Sequence, residues 1–250
     1  MTDKILMYEE LSLNAHPAIQ TQHYDGWVLR FADGYTKRAN SISPLHASTL
    51  DLKEKIAECE IRYFSQGLPT VFKLTDTSHP NMEKILSERG YALADPTYVM
   101  EMDLHGKEFP QGDFVMTDYA DEAWLNTLFA FDSRIVRDGK EAVAKQIIEN
   151  VKCDMICGRI IKNGVDVACG SAVIERGYMG LLNVVVDKEH RGKGCGREIC
   201  ESLLSAAKNI GAHTAYLQVI QENQVAVNMY KKLGYKHLYT QRYWVKKKEA

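Results

Sequence analysis

Glycines 192, 194 and 196 alternate with Lys193 and Cys195 in HRGKGCGREICESLL (190–204), between Arg191 and Arg197. Residues of these types at a helix start are suited to holding an anion. Glycines remove the side chains that would keep a diphosphate off the backbone, and the N–H groups of a first helical turn point outward at the positive end of the dipole. The spacing is not that of a Walker A loop, because Gly192-Lys193 is followed by glycine rather than Ser or Thr; G-x-G-x-x-G fails at Arg197. As a mere flexible helix start, three glycines would only weaken the helix. A second candidate is Tyr230, in NQVAVNMYKKLGY (223–235). A phenol has a pKa of about 10 and can donate a proton or hydrogen bond to a leaving group. Taken alone, Tyr230 reads as a core aromatic of an amphipathic helix that also carries Val227 and Met229.

The elements around these residues follow a clear order. GDFVMTDY (112–119) reads as a strand, Asp121 caps a helix through EAWLNTLFAFD, and a second amphipathic helix spans 139–150. Asn163-Gly164 and Arg176-Gly177 divide 154–187 into three strands of an antiparallel meander. The glycine stretch opens a helix over about 195–209. A strand (214–220), a helix from Asn223 to Leu233 and a strand pair from Tyr235 to Lys246, broken near Gln241, complete the half. The order β-α-α-β-β-β-α-β-α-β-β predicts an α/β sheet with helices on both faces.

Composition limits the functions. The 250 residues, 45% hydrophobic and 26% charged, suffice for one large core or two modest ones. Lysine and arginine total 31 against 33 acids, a net charge of −2, so no basic field favours nucleic acid, and Lys37, Arg38 and the terminal VKKKEA are too dispersed to supply one. No uninterrupted apolar run of about 18 residues exists, so no membrane span is expected. The six cysteines (Cys59, Cys153, Cys157, Cys169, Cys195, Cys200) form no CxxC pair, and the 153–157 spacing has no histidine at zinc distance. Reduced thiols, a cytoplasmic location and no metal are expected.

VVDKEHRGKGCG resembles the acyl-CoA-binding signature, R-x-x-G-x-G or A after a strand, of the GNAT superfamily of N-acetyltransferases. NQVAVNMYKKLGY is similar to a second signature of the superfamily, through Asn223, Ala226, Met229, Tyr230, Gly234 and Tyr235. The resemblance covers about residues 112–247. It implies a mixed, mostly antiparallel sheet, acetyl-CoA as co-substrate and a primary amine of a small molecule or peptide as acceptor. It implies further that the strand Val184, Val185, Val186 pairs with the pantetheine arm. Backbone groups of Arg191, Gly192, Lys193, Gly194, Cys195, Gly196 and Arg197 would hold the pyrophosphate, and Asn223, Ala226, Met229 and Tyr230 would line the cofactor. Tyr230 would meet the thioester sulfur as general acid. The base that deprotonates the amine is not readable: Glu175, Tyr178, Asp132 and His190 are candidates by position, as is water. Asp132 and Arg134 fall where the superfamily forms its acceptor wall.

The first half repeats part of the second. YDGWVLRFADGYTKRANSISPL reads as two strands joined at Asp33-Gly34, followed by a helix over 50–64, a strand PTVFKL, a helix ending at Gly90 and a strand pair split near Asp95-Pro96. VFKL…NMEKILSERGY parallels YLQV…NMYKKLGY, with Glu83 in the place of Tyr230. After NSISP, where this copy would bind CoA, stands LHASTLDLKE, without glycine. We therefore expect a truncated GNAT-like lobe lacking the CoA loop (1–106) and a complete catalytic domain (107–250), with LHGKEFPQGD (104–113) as linker. Trp27, Arg30, Tyr35, Lys37, Arg38 and Asn40 read as a solvated sheet face or an acceptor or domain contact. The main alternative to an enzyme is a CoA-binding sensor or interaction protein that has lost transfer. Oligomeric state, a homodimer included, is left open.

Overall fold

A computed structural model describes residues 2–110 and 112–248. The chain divides into two compact units, Met1–Tyr98 with Ile220–Glu222 and Tyr239–Ala250, and Val99–Val219 with Asn223–Leu238. The end of the chain therefore belongs with the first unit, where a division between 106 and 107 would have assigned it to the second.

The first unit runs α1 (Thr2–Ala15), β1 (Gln20–Tyr24), β2 (Trp27–Phe31), β3 (Ile42–Pro44), α2 (Leu52–Phe64), β4 (Thr70–Leu74), α3 (Met82–Glu88) and the start of β5 (Ala92–Asp103). β1, β2 and β3 are antiparallel neighbours, and β4 pairs parallel to β3. Trp27, Leu29, Phe31, Ile42, Ile56, Phe72 and Leu74 form its core. The hairpin turn is Asp25-Gly26, at φ 45° and 79°, rather than Asp33-Gly34. The latter pair lies in a longer loop that Asn40 ties together: its Oδ1 accepts from Ala32 N at 2.8 Å and Gly34 N at 2.9 Å. Trp27 and Arg30 are buried, not on a solvated face. Around Asp95-Pro96 there is no strand pair but one strand, β5, with Asp95 at φ 43° inside it.

The second unit continues through β6 (Phe114–Thr117), α4 (Glu122–Phe131), α5 (Ser133–Arg137), α6 (Glu141–Glu149), β7 (Asp154–Lys162), β8 (Val165–Glu175), β9 (Tyr178–Val186), α7 (Cys195–Asn209), β10 (Thr214–Ile220) and α8 (Gln224–Leu233) to the start of β11 (Lys236–Lys246), whose residues from Tyr239 on belong to the first. Its strand order is β5-β10-β9-β8-β7-β6, mostly antiparallel, with β10 parallel to β9. Asn163-Gly164 and Arg176-Gly177 both have positive φ at the two turn positions, as two-residue hairpins require. The carboxylate of Asp121 caps α4, accepting from Trp124 N at 2.7 Å. α5 is an additional short helix, and β11 is one strand rather than a pair broken near Gln241.

Both units share one succession: a three-stranded meander, a helix, a strand parallel to the third, and a second helix. β1-β2-β3-α2-β4-α3 thus corresponds to β7-β8-β9-α7-β10-α8, and the fold is the mixed, mostly antiparallel GNAT-like sheet preceded by a truncated copy.

Candidate active site

β9 and β10 pair in parallel only from Tyr178–Thr214 to Leu181–Leu217. Beyond Leu181 every residue of β9, from Leu182 to Val186, is half-buried, so this edge of a central strand is open. On its other side the register with β8 shifts: Cys169 faces Val185 and Ser171 faces Leu182. Gly170 therefore opposes two residues, Asn183 and Val184, a β-bulge in which Asn183 takes φ 54°. A side chain on Gly170 would bring its Cβ to 3.0 Å from Leu203 Cδ1 and 3.4 Å from Val184 Cγ2, so glycine lets α7 and the bulge close together.

The chain leaves β9 through a 3-10 turn, Lys188–His190, capped by Asp187, and Arg191 Nε donates to Val186 O at 3.3 Å. Gly192 (φ 74°) and Gly194 (φ 87°, the N-cap of α7) are exposed, and a Cβ on either would meet nothing within 4 Å. Among the described residues, the N–H groups of Gly192 to Gly196 make no close, well-aligned hydrogen bond, while Arg197 N and Glu198 N both donate to Gly194 O at 3.0 Å. A bare, left-handed loop whose amides lack close partners suits an anion. Gly196 has a different task. Its Cβ position lies 3.4 Å from both Met229 Sδ and Val186 Cγ2, so α7, α8 and β9 meet there. The Cys195 side chain is 2% exposed and offers the site only its backbone. Arg197 reaches Glu201 at 2.8 Å, which ties its guanidinium back to α7. Lys193 is exposed.

On α8, Asn223 is the N-cap and its Oδ1 accepts from Ala226 N at 3.2 Å. Its side chain thus orders the helix start. Ala226 and Met229 are half-buried. Tyr230, 9% exposed, packs its ring edge-on to Tyr235 at 5.8 Å. Burial holds the Tyr235 phenol well above its ordinary pKa.

The positional base candidates all have partners. Glu175 lies 3.6 Å from Arg176 Nε and accepts from Cys153 Sγ at 3.7 Å; His190 Nδ1 lies 2.7 Å from Asp187. Asp132 accepts from both Nε and Nη2 of Arg134, at 2.8 and 2.6 Å, and Tyr178 packs edge-on to His213. Among the described residues no three His, Cys, Asp or Glu side chains gather to hold a metal, and no helix is long and apolar enough to cross a membrane.

Two contacts at the bulge were not read from the sequence. Trp124 Nε1 donates to Gly170 O at 3.0 Å, and Asn183 Nδ2 donates to Ser171 Oγ at 3.1 Å. The available signal was an asparagine inside an otherwise apolar strand, a residue that β-structure disfavours and left-handed backbone tolerates.

Comparison with known proteins agrees with this architecture. The family model described as "Probable histone acetyltransferase Rv0428c C-terminal" matches residues 2–244. The chain is 30% identical to the uncharacterized N-acetyltransferase YobR of Bacillus subtilis, over 98% of this chain and 100% of that one. In structure it is similar to a GCN5-related N-acetyltransferase from Kribbella flavida (TM-score 0.72, 15% identity, 100% and 96% of the two chains). It is also similar to a tandem GNAT protein from the clavulanic acid biosynthesis pathway (TM-score 0.61, 11% identity, 77% and 69%). With its two signatures, its bulged and open β9 and its duplicated unit, the chain belongs to the GNAT superfamily of acetyltransferases, in the family of the Rv0428c C-terminal region.

Proposed function

We propose that the second unit transfers an acetyl group from acetyl-CoA to a primary amine of a small molecule or peptide, by direct attack of the amine on the thioester. The observation that carries this reading is the open β9 edge at Val184–Val186 beside the N–H groups of Gly192 to Gly196, which make no close hydrogen bond. The residues fit the co-substrate. The β9 backbone at Val184 and Val186 can pair with the pantetheine amides as an added strand. The loop amides can hold the pyrophosphate at the positive end of α7, with Arg191 and Lys193 supplying charge.

Acetyl-CoA supplies the activated acyl group. Attack by the amine places negative charge first on the thioester oxygen, where the Val184 N–H serves as donor, and then on the departing sulfur. Tyr230 is assigned as donor to that sulfur, because a phenol carries its proton at neutral pH. Ala226 and Met229 shape the wall of α8, and Asn223 fixes its first turn. Glu175, Asp132, His190 and Tyr178 each have partners of their own, so loss of the amine proton is assigned to water.

The test is release of free thiol from acetyl-CoA in the presence of a panel of amines: a polyamine, an amino sugar, and peptides with free α-amino or lysine groups. Amine-dependent release, with the acetylated amine found by mass spectrometry, is expected. Tight acetyl-CoA binding without transfer to any amine would favour a CoA-binding sensor.

A further inference from the structure

We propose that Trp124 and Asn183 are positioning residues for transfer: the indole N–H and the side-chain amide pin the two sides of the β8–β9 bulge and so fix the aim of the Val184 N–H. This rests on the acetyl-transfer reading above. A bulge interrupts the ladder that otherwise fixes backbone direction, and the residues within it need other partners. On the β8 side the single residue is Gly170. Its carbonyl accepts from Trp124 Nε1 at 3.0 Å, across 46 positions of sequence, and the tryptophan is 1% exposed. The indole has one donor and spends it here.

On the β9 side Asn183 holds the left-handed conformation, at φ 54°. Its Nδ2 donates to Ser171 Oγ at 3.1 Å, and Ser171 Oγ is 3.4 Å from Leu182 O, to which it donates. Ser171 is the β8 residue next to Gly170, and Leu182 is the β9 residue next to Asn183. The bulge is thus held on both strands, with Val184 the remaining member of the two-against-one set. Within the reaction, an N–H that meets a developing oxyanion must be aimed before the charge forms, and a misplacement of about 1 Å costs on the order of 100-fold in rate. Both pins act through the backbone, so neither need touch a substrate.

The full-length protein is compared with Trp124→Phe, Asn183→Gly, Asn183→Asp and Ser171→Ala by steady-state kinetics and by amide exchange. Trp124→Phe keeps a ring while leaving the Gly170 carbonyl without its donor, and Asn183→Gly keeps the left-handed backbone while removing the pin. We expect kcat to fall about 10- to 100-fold in both, with KM for acetyl-CoA within about twofold of wild type. Asn183→Asp tolerates φ > 0, but its carboxylate can only accept and would compete with Leu182 O for the Ser171 hydroxyl, so it should show a loss comparable to Asn183→Gly. Wild-type kcat in both Trp124→Phe and Asn183→Gly overturns the proposal, as does a loss found only in KM. Should the wild-type protein release no thiol with any amine, the reading of function fails on its own. The pins are then judged by exchange at residues 183–185: acceleration of about tenfold in Trp124→Phe and Ser171→Ala supports them, and unchanged rates overturn them.

Discussion

The carboxylate of Asp25 lies 3.0 Å from Lys55 Nζ. It also accepts from Ser48 Oγ and Thr49 Oγ1 at 2.6 Å and from Leu50 N at 3.1 Å. These donors belong to the segment between β3 and α2, the counterpart of the glycine loop between β9 and α7. In one unit the N–H groups of Gly192 to Gly196 make no close hydrogen bond, whereas in the other Thr49 N and Leu50 N donate to a carboxylate of the same unit. Lys55 is buried over the Trp27 ring, 3.8 Å from its centroid.

This arrangement predicts one acetyl-CoA per chain. Asp51 caps α2 through Lys53 N and Glu54 N, so a second carboxylate stands at that helix start and would repel a diphosphate. Calorimetric titration should give a stoichiometry near one, because the two carboxylates at the first unit's loop occupy the place where a diphosphate would have to enter. Two equivalent sites would refute the equivalence drawn between the loops.

A pH dependence follows from the same contact. The hydroxyls of Ser48 and Thr49 hold the Asp25 carboxyl well below the usual carboxylate range. A group whose pKa is lower folded than unfolded adds stability above its unfolded pKa, about 3.9, and loses it as pH falls toward the folded value. Asp25→Asn should therefore be less stable than wild type at neutral pH, and the gap should narrow below about pH 4. A gap in urea midpoint that stays constant from neutral to acid pH would show that the charge of Asp25 is not what the loop binds.

The parts of this fold that were legible in sequence are those set by local chemistry. Asn163-Gly164 and Arg176-Gly177 demand two left-handed residues in succession, and glycines at 192 and 194 announce bare backbone. What stayed hidden depends on distant partners. α1 was missed because Glu9 and Ser12 interrupt its buried face, and Glu9 finds its partners in Lys73 at 2.6 Å and Tyr239 and Gln241 at 2.7 Å. The same bond keeps Gln241 inside β11, where it read as a break. Asp95-Pro96 reads as a turn, yet the strand absorbs it as a single left-handed residue. Trp124 and Gly170 have no sequence spacing that reveals their bond.

Gly194 should separate backbone strain from charge. At φ 87° any L-residue is strained by roughly 1–2 kcal/mol, although a Cβ would strike nothing within 4 Å. Gly194→Ala should weaken CoA binding modestly; Gly194→Asp should abolish it, by placing a carboxylate where the proposed site would hold the diphosphate. Equal losses in the two variants would leave strain as the sole effect and remove the support for an anion site.

The cysteines should be slow to react in the native protein. Burial pushes the Cys59 and Cys157 thiols up to about 12 and raises Cys169 and Cys200 as well, so few thiolates exist at pH 8. Cys195 is buried too, which leaves Cys153 as the half-buried exception, itself raised by burial and by Glu175. An aromatic disulfide reagent should modify the chain quickly only after denaturant is added. Rapid modification of several cysteines without denaturant would contradict the burial, and would also spoil the thiol-release assay.

Tyr230 is the residue on which the assignment of chemistry depends most. Phenylalanine at this position keeps the edge-on contact with Tyr235 and removes only the hydroxyl, so a purely structural tyrosine would lose little activity. A general acid loses more, by the typical factor of about 10²–10⁴, with the lower end expected here because a thiolate is already a good leaving group. Acetyl-CoA affinity should stay within about twofold, since the proposed diphosphate and pantetheine contacts come from the loop and β9. Single-turnover rates at several pH values are the decisive measurement, because they isolate the chemical step from product release. Wild-type single-turnover rates in Tyr230→Phe would remove the hydroxyl from the mechanism and leave protonation of the sulfur to water.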